Sequence, residues 1–223
     1  MSCLEYEDRQ ALYTALATQL ADDLRHALDS ASRATFVVPG GTTPGPIFDL
    51  LCEADLDWSR VDVMLSDERW LPEDDARSNT GLLRQRLLIK RAADAGYLPL
   101  YVPCARPEEG VAELSSAIEA HLPIAVLLLG MGADMHTASL FPGADRLTEA
   151  LAPKAPVLLP MRVVGAPEAR ITLSARTLDA AAQKHIVITG VEKRQALDAA
   201  YDLPAATAPV RAVLDGTTVH WAP

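Results

Sequence analysis

Residues 127–143 read LLLGMGADMHTASLFPG. An apolar run turns through Gly130-Met131-Gly132, and Asp134 and His136 follow two residues apart. Extended upstream the run is IAVLLLGMG, short, apolar and closed by glycine, which is the pattern of a strand buried on both faces of a parallel sheet. Gly-x-Gly after such a strand has two readings. It can cradle a nucleotide, or it can hold a histidine over a bond to be hydrolysed. The dinucleotide fingerprint is incomplete, because Met135 stands where the third glycine belongs and no acidic residue ends a strand about twenty residues on. A lone histidine is more often structural than catalytic. This one lies in a polar loop past a strand, where an imidazole can take a proton from water if a partner fixes its tautomer. Asp134 is the nearest candidate for that partner. No G-x-S-x-G elbow, H-E-x-x-H pair or Cys/His cluster is present, so neither a serine nucleophile nor a metal is implied.

Working outward, short apolar runs alternate with amphipathic segments. Leu12, Leu16, Leu20, Leu24 and Leu28 recur every fourth residue and place one leucine stripe on a long opening helix. ATFVVPGG reads as a buried strand with a glycine turn. TPGPIFDLLCEAD follows as a helix, with Pro44 suited to its first turn. VDVMLSDER is a strand with a polar exit, and residues 69–77 form an irregular acidic loop. SNTGLLRQRLLIK is a helix capped by Ser78 or Asn79, and PEEGVAELSSAIEAHL is another. RITLSARTLDAA reads as strand then short helix, HIVITG as a strand, VEKRQALDAAYD as a helix and VRAVLDG as the last strand. The Pro/Ala-rich stretches 153–167 and 204–209 read as loops. This alternation predicts an α/β fold with a mostly parallel sheet covered on both faces, and residues 1–223 as one domain.

Composition bounds the function. With 30 acidic against 20 basic residues the net charge is −10, which argues against general binding to nucleic acid or anionic membranes. A few local cations can still bind a small anion. Cys3, Cys52 and Cys104 form no C-x-x-C pair and are odd in number, so they read as reduced thiols. Residues 1–29 show no signal-peptide core, and no apolar run reaches spanning length. A cytoplasmic location is expected.

In open α/β sheets ligands sit beyond the carboxyl ends of the strands, and four stretches here are such exits. PGGTTPG offers the amides of Gly40 and Gly41, the hydroxyls of Thr42 and Thr43 and a helix start, a combination that binds phosphate or carboxylate. Taken alone, an ordinary turn capped by a threonine is the preferred reading. SDER gathers Asp67, Glu68 and Arg69. There a carboxylate can hold an arginine in a fixed fork ready to stabilise an oxyanion, and a solvated loop end is an equal reading. GMGADMH holds Asp134 and His136. TGVEK places Lys193 in the first turn of a helix, where a cation opposes the macrodipole unless it faces an anion. Arg170 opens the RITLS strand, where a cation can also point into a cleft. Either cation alone is most simply a surface charge.

Together and in this order, PGGTTP, DERWLPEDDARSN, GMGADMHTASLFPG, RITLS and TGVEK resemble the lactonase branch of the glucosamine-6-phosphate isomerase/6-phosphogluconolactonase family. The resemblance implies a Rossmann-like three-layer α/β/α sandwich. It implies hydrolysis of 6-phosphoglucono-δ-lactone to 6-phosphogluconate, the second step of the oxidative pentose phosphate pathway, by a monomer or small homo-oligomer with no metal or organic cofactor. By position His136 would be the general base and Asp134 its neighbour. Thr42, Thr43, Asp67 and Arg69 would line the sugar-phosphate site, and Arg170 and Lys193 would be its phosphate-side cations. Arg69 is the candidate for stabilising the developing oxyanion. Two other readings stand beside this one. The deaminase branch carries an extra acidic residue shortly after the histidine, and this chain reads HTASLFPG there. A sugar-phosphate binder with weak catalysis is suggested by Met135, which replaces the glycine of the family's Asp-Gly-His motif. If that position needs φ > 0, methionine is strained there by roughly 1–2 kcal/mol.

Overall fold

The computed structural model describes residues 2–223. In chain order it comprises β1 (Ser2–Glu5), α1 (Arg9–Ser30), β2 (Ala34–Val38), α2 (Gly45–Leu51), β3 (Val61–Leu65), β4 (Asp67–Arg69), α3 (Asn79–Arg86), β5 (Gly96–Leu98) and α4 (Pro107–Glu119). There follow β6 (Val126–Gly130), α5 (Leu147–Ala150), β7 (Leu158–Met161), β8 (Arg170–Leu173), α6 (Ala175–Asp179), β9 (Gln183–Thr189), α7 (Val191–Ala200) and β10 (Thr218–Ala222). Seven strands form a parallel sheet in the order β1-β10-β9-β6-β2-β3-β5, and β4-β8-β7 form a small antiparallel sheet. The architecture is the expected three-layer α/β sandwich.

The leucine stripe of α1 is buried at all five positions. Asp8 starts this helix by accepting the Ala11 amide at 2.8 Å, which satisfies one of the donors that a helix N-terminus leaves free. The helix packs on β2, β6 and β10 and against α2. Every residue of β2 and β3 is buried, which is why these strands read as mostly apolar runs, interrupted by Thr35 and Asp62, instead of alternating ones. Among the described residues no helix is long and apolar enough to cross a membrane.

The sequence reading needs four corrections. Pro44 is the N-cap of α2, and Pro46 occupies the first turn. VDVMLSDER is two strands: Ser66 breaks it, and Asp67–Arg69 leave the parallel sheet to pair with β8. Residues 153–167, expected as a loop, contain β7. VRAVLDG is not the last strand but a 3-10 turn, Pro209–Val213. Its buried residues Val210, Val213 and Leu214 fall at i, i+3 and i+4, the spacing of a helical face. The last strand is β10, further on at Thr218–Ala222, and the sequence reading also missed the edge strands β1 and β5.

Strands β9, β6 and β2 are neighbours in the sheet. Their exits, TGVEK, GMGADMH and PGGTTPG, therefore open on the same edge, and the small sheet brings Asp67, Arg69 and Arg170 to that edge from the side.

Candidate active site

These loops enclose a cleft of about 400 Å³ lined by Gly40, Gly41, Thr42, Thr43, Asp67, Arg69, His136, Arg170 and Lys193. Nine of the ten sequence candidates meet there. Asp134 does not line the cleft itself and reaches it through His136. Asn79, Met131 and Phe141 are also among the residues that line it.

The histidine loop is a closed piece of backbone. Gly132 N–H donates to the carbonyl of His136 and Met135 N–H to that of Gly132, each at 3.0 Å, while the Thr137 hydroxyl donates to the Gly130 carbonyl at 2.8 Å. The turn is so tight that a Cβ on residue 132 would lie 2.2 Å from Nδ1 of His136. Glycine is needed there for the ring to fold over its own loop. Met135 adopts φ 65° and Ala138 φ 49°, both in the left-handed region that disfavours side chains. The methionine therefore does occupy a glycine-type conformation. Its side chain packs on the core, and its carbonyl accepts the Val210 amide at 3.0 Å, which offsets part of the strain.

His136 Nδ1 donates to Asp134 Oδ1 at 2.5 Å, and the same oxygen accepts the His136 main-chain amide at 3.3 Å. A carboxylate on Nδ1 selects the tautomer with a bare Nε2, which is the nitrogen that can accept a proton. The imidazole stacks on Phe141 with ring centroids 4.0 Å apart.

Arg69 and Arg170 are directly opposite in the β4–β8 register. Like charges so placed repel, and among the described residues only Arg170 has a carboxylate partner, a long contact to Asp67. Arg170 is largely buried. Its nearest carboxylate oxygen, on Asp67, is 3.8 Å away, and its Nε meets no acceptor among the described residues. Burial pulls its pKa down from the ordinary arginine value, opposed by Asp67 and reinforced by Arg69. Asp67 is itself occupied, accepting from the hydroxyls of Ser139 at 2.5 Å and Ser66 at 2.9 Å. The expectation that a carboxylate grips Arg69 is overturned: its Nη1 donates to the Arg77 carbonyl at 2.6 Å and to Asn79 Oδ1 at 3.0 Å.

The carboxylate that matters structurally here is Glu68, which sequence reasoning took for part of a polar strand exit. It is completely buried. It accepts from the amides of Arg69, Asn79 and Thr80 and from the hydroxyls of Ser78 and Thr80, at 2.7–2.9 Å. It thereby ties β4 to the N-terminus of α3, where negative charge is favoured. A strand-end carboxylate followed ten to twelve residues later by SNT was the available signal.

On the opposite wall α2 carries no side-chain cap, so the hydroxyls of Thr42 and Thr43 are not spent on the helix. Among the described residues the amides of Gly41, Thr42 and Thr43 meet no acceptor, and Lys193 has no ion pair. Three cations and these free amides thus converge on a space whose lining holds one carboxylate, Asp67.

The sequence matches the family described as glucosamine-6-phosphate isomerases/6-phosphogluconolactonase over residues 7–221. A 6-phosphogluconolactonase of Pseudomonas aeruginosa is 44% identical over 213 residues, covering 93% of this chain and 89% of that one. One from Mesorhizobium japonicum is 40% identical, covering 98% and 94%. The crystal structure of a 6-phosphogluconolactonase from Shewanella baltica superposes with a TM-score of 0.96 at 32% identity, over 100% of this chain and 98% of that one. This chain belongs to the glucosamine-6-phosphate isomerase/6-phosphogluconolactonase family.

Proposed function

We propose that the cleft binds 6-phosphoglucono-δ-lactone as an anion and hydrolyses it with His136 as general base. The protein is an enzyme, a lactone hydrolase of the pentose phosphate pathway, as relatives of that name at 44% and 40% identity across nearly the whole chain support. The observation that carries the site assignment is the facing pair Arg69 and Arg170, two cations that share the single carboxylate Asp67 of the cleft lining and are joined there by Lys193. A protein of net charge −10 that concentrates cations in one cleft selects an anionic ligand there.

The reaction follows from the arrangement. Nε2 of His136 takes a proton from water as its oxygen attacks C1 of the lactone. Negative charge moves to the carbonyl oxygen, where Arg69 stabilises it. The C1–ring oxygen bond then breaks, and the ring oxygen takes the proton back from His136. The new carboxylic acid ionises to 6-phosphogluconate. Asp134 holds the imidazole and stabilises its cationic form during the cycle. The amides of Gly40 and Gly41, the hydroxyls of Thr42 and Thr43, Arg170 and Lys193 hold the phosphate, and Asp67 lines the sugar site. A δ-lactone is already activated, so one base and one oxyanion partner suffice. No carboxylate follows His136 before Gly143, which removes the extra acid–base group that amino-sugar isomerisation needs.

Residues 1–223 act as one domain in this reading, in the cytoplasm, with a phosphorylated sugar lactone as partner and no nucleic acid, membrane, metal or organic cofactor. The test is lactone hydrolysis measured above the spontaneous rate. Saturable binding without turnover would identify a binding protein instead.

A further inference from the structure

Arg69 has a guanidinium in the cleft and two neutral acceptors. One is the Arg77 carbonyl and the other is Oδ1 of Asn79. The asparagine is itself immobilised from three sides. Its main-chain amide donates to Glu68 Oε1 at 2.9 Å, and its Nδ2 donates to the Asp67 carbonyl at 3.2 Å. Its side chain lies so close over Gly40 that a Cβ on residue 40 would sit 2.1–2.3 Å from the amide group. Asn79 is buried, and it joins the exit of β2, strand β4 and the start of α3 at the cleft wall. Both hydrogen bonds to Arg69 use Nη1, and its Nε and Nη2 hydrogens meet no protein acceptor among the described residues.

We propose that Asn79 is the positioning residue for Arg69: its locked, neutral amide aims the guanidinium while leaving the positive charge free for the oxyanion. Aspartate in the same place would aim the arginine equally well but would cancel its charge. An amide gives direction without neutralisation. This rests on the proposed role of Arg69.

The test is a double-mutant cycle on kcat and KM for 6-phosphoglucono-δ-lactone, with thermal melts on each variant. Arg69→Met is expected to lower kcat about 10²–10³-fold, the usual loss for an oxyanion donor. Asn79→Ala is expected to lower kcat on the order of 10²-fold through misplacement of that donor, with KM nearly unchanged. In the Arg69→Met background Asn79→Ala should cost nothing further, because it acts only through the arginine. Asn79→Asp, of the same size, should also lose most of kcat, and it carries the test if the alanine variant does not fold. Equal losses from Asn79→Ala in both backgrounds, or wild-type kcat in Asn79→Asp, overturns the proposal and leaves the role of Arg69 intact. Wild-type kcat in Arg69→Met overturns both.

Discussion

Asp134 holds Nδ1 of His136 at 2.5 Å, so the nitrogen left to accept a proton is Nε2, on a side chain that lines the cleft. Replacing His136 with Asn is predicted to remove most of kcat, on the order of 10²–10⁴-fold for loss of a general base. The fold and the affinity for 6-phosphogluconate should be nearly intact, since the cations and amides that hold the anion are elsewhere. Steady-state kinetics with product titration checks this, and near wild-type kcat would assign the base to another group.

Gly132 is where the loop admits the ring. Its φ is not in the left-handed region, so alanine is compatible with the backbone, but the added Cβ would meet His136 Nδ1 at 2.2 Å and Asp134 Oδ1 at 2.4 Å. Gly132→Ala should therefore displace the imidazole, with a loss in kcat on the order of 10²-fold for a misplacement of about 1 Å. The melting temperature should change little. A variant with unaltered kcat would show that the ring position is not what the loop is built to fix.

Met135 sets two opposed effects against each other. Glycine would relieve strain of roughly 1–2 kcal/mol at φ 65°. It would also surrender the packing of the methionine on the core and add about 1 kcal/mol of unfolded-chain entropy. Met135→Gly is therefore predicted to leave stability within about 1 kcal/mol of wild type, and to retain activity, because neither His136 nor Asp134 loses a partner. A melt and an assay on one variant decide it, and a clear fall in both would show that the methionine, not its backbone, supports the site.

The legible part of this protein was the part where chemistry and strand exits coincide. Central strands β2, β3, β6 and β9 are apolar runs ending in glycine or polar residues, and they carried both fold and site. The rest was hidden for definable reasons. Strands β1 and β5 are short edge strands with exposed or half-buried residues, so they lack an apolar run. Strand β10 carries two polar-capable residues, His220 and Trp221, and the buried histidine breaks the pattern. Glu68 was invisible as a structural anchor because its five donors come from residues 69 and 78–80, all but one of them distant in sequence. Asn79 was legible only as a helix start, since nothing in the sequence says that its amide meets Arg69.

Lys193 stands in the first turn of α7, against the helix dipole, and lines the cleft without an ion pair. Lys193→Met should raise KM for the phosphorylated lactone by about 10–100-fold, corresponding to the roughly 1.5–3 kcal/mol of a charge-assisted contact. Its kcat should be nearly unchanged, because a phosphate remote from C1 is held alike in ground and transition states. The variant should also discriminate poorly between phosphorylated and unphosphorylated gluconolactone. Retention of the wild-type preference would make Lys193 a surface charge and move the phosphate site elsewhere.

Away from the cleft, four side chains form a chain of hydrogen bonds between the sheet and α1. Tyr6 Oη lies 2.9 Å from His220 Nδ1, His220 Nε2 lies 3.0 Å from His185 Nδ1, and His185 Nε2 lies 2.8 Å from Asp23 Oδ2. One assignment satisfies every junction with both imidazoles neutral: Tyr6 donates to His220, His220 to His185, and His185 to the carboxylate. An added proton on His220 would fall on Nδ1, opposite the tyrosine hydroxyl. Burial, then the neighbouring His185, lowers the His220 pKa to about 4, with Asp23 opposing. In the unfolded chain it titrates near 6.5. Between those values the unfolded state binds a proton that the folded state refuses, so stability falls as pH drops through that window and the loss levels off below about 4. The full difference corresponds to an upper figure on the order of 3 kcal/mol. His220→Gln removes the titrating group. It should be less stable than wild type at about pH 7.5, through the lost network, and should close much of that gap by about pH 4.5. Urea midpoints of the two proteins across this range test the prediction, and a gap that stays constant with pH would show that His220 does not resist protonation in the fold.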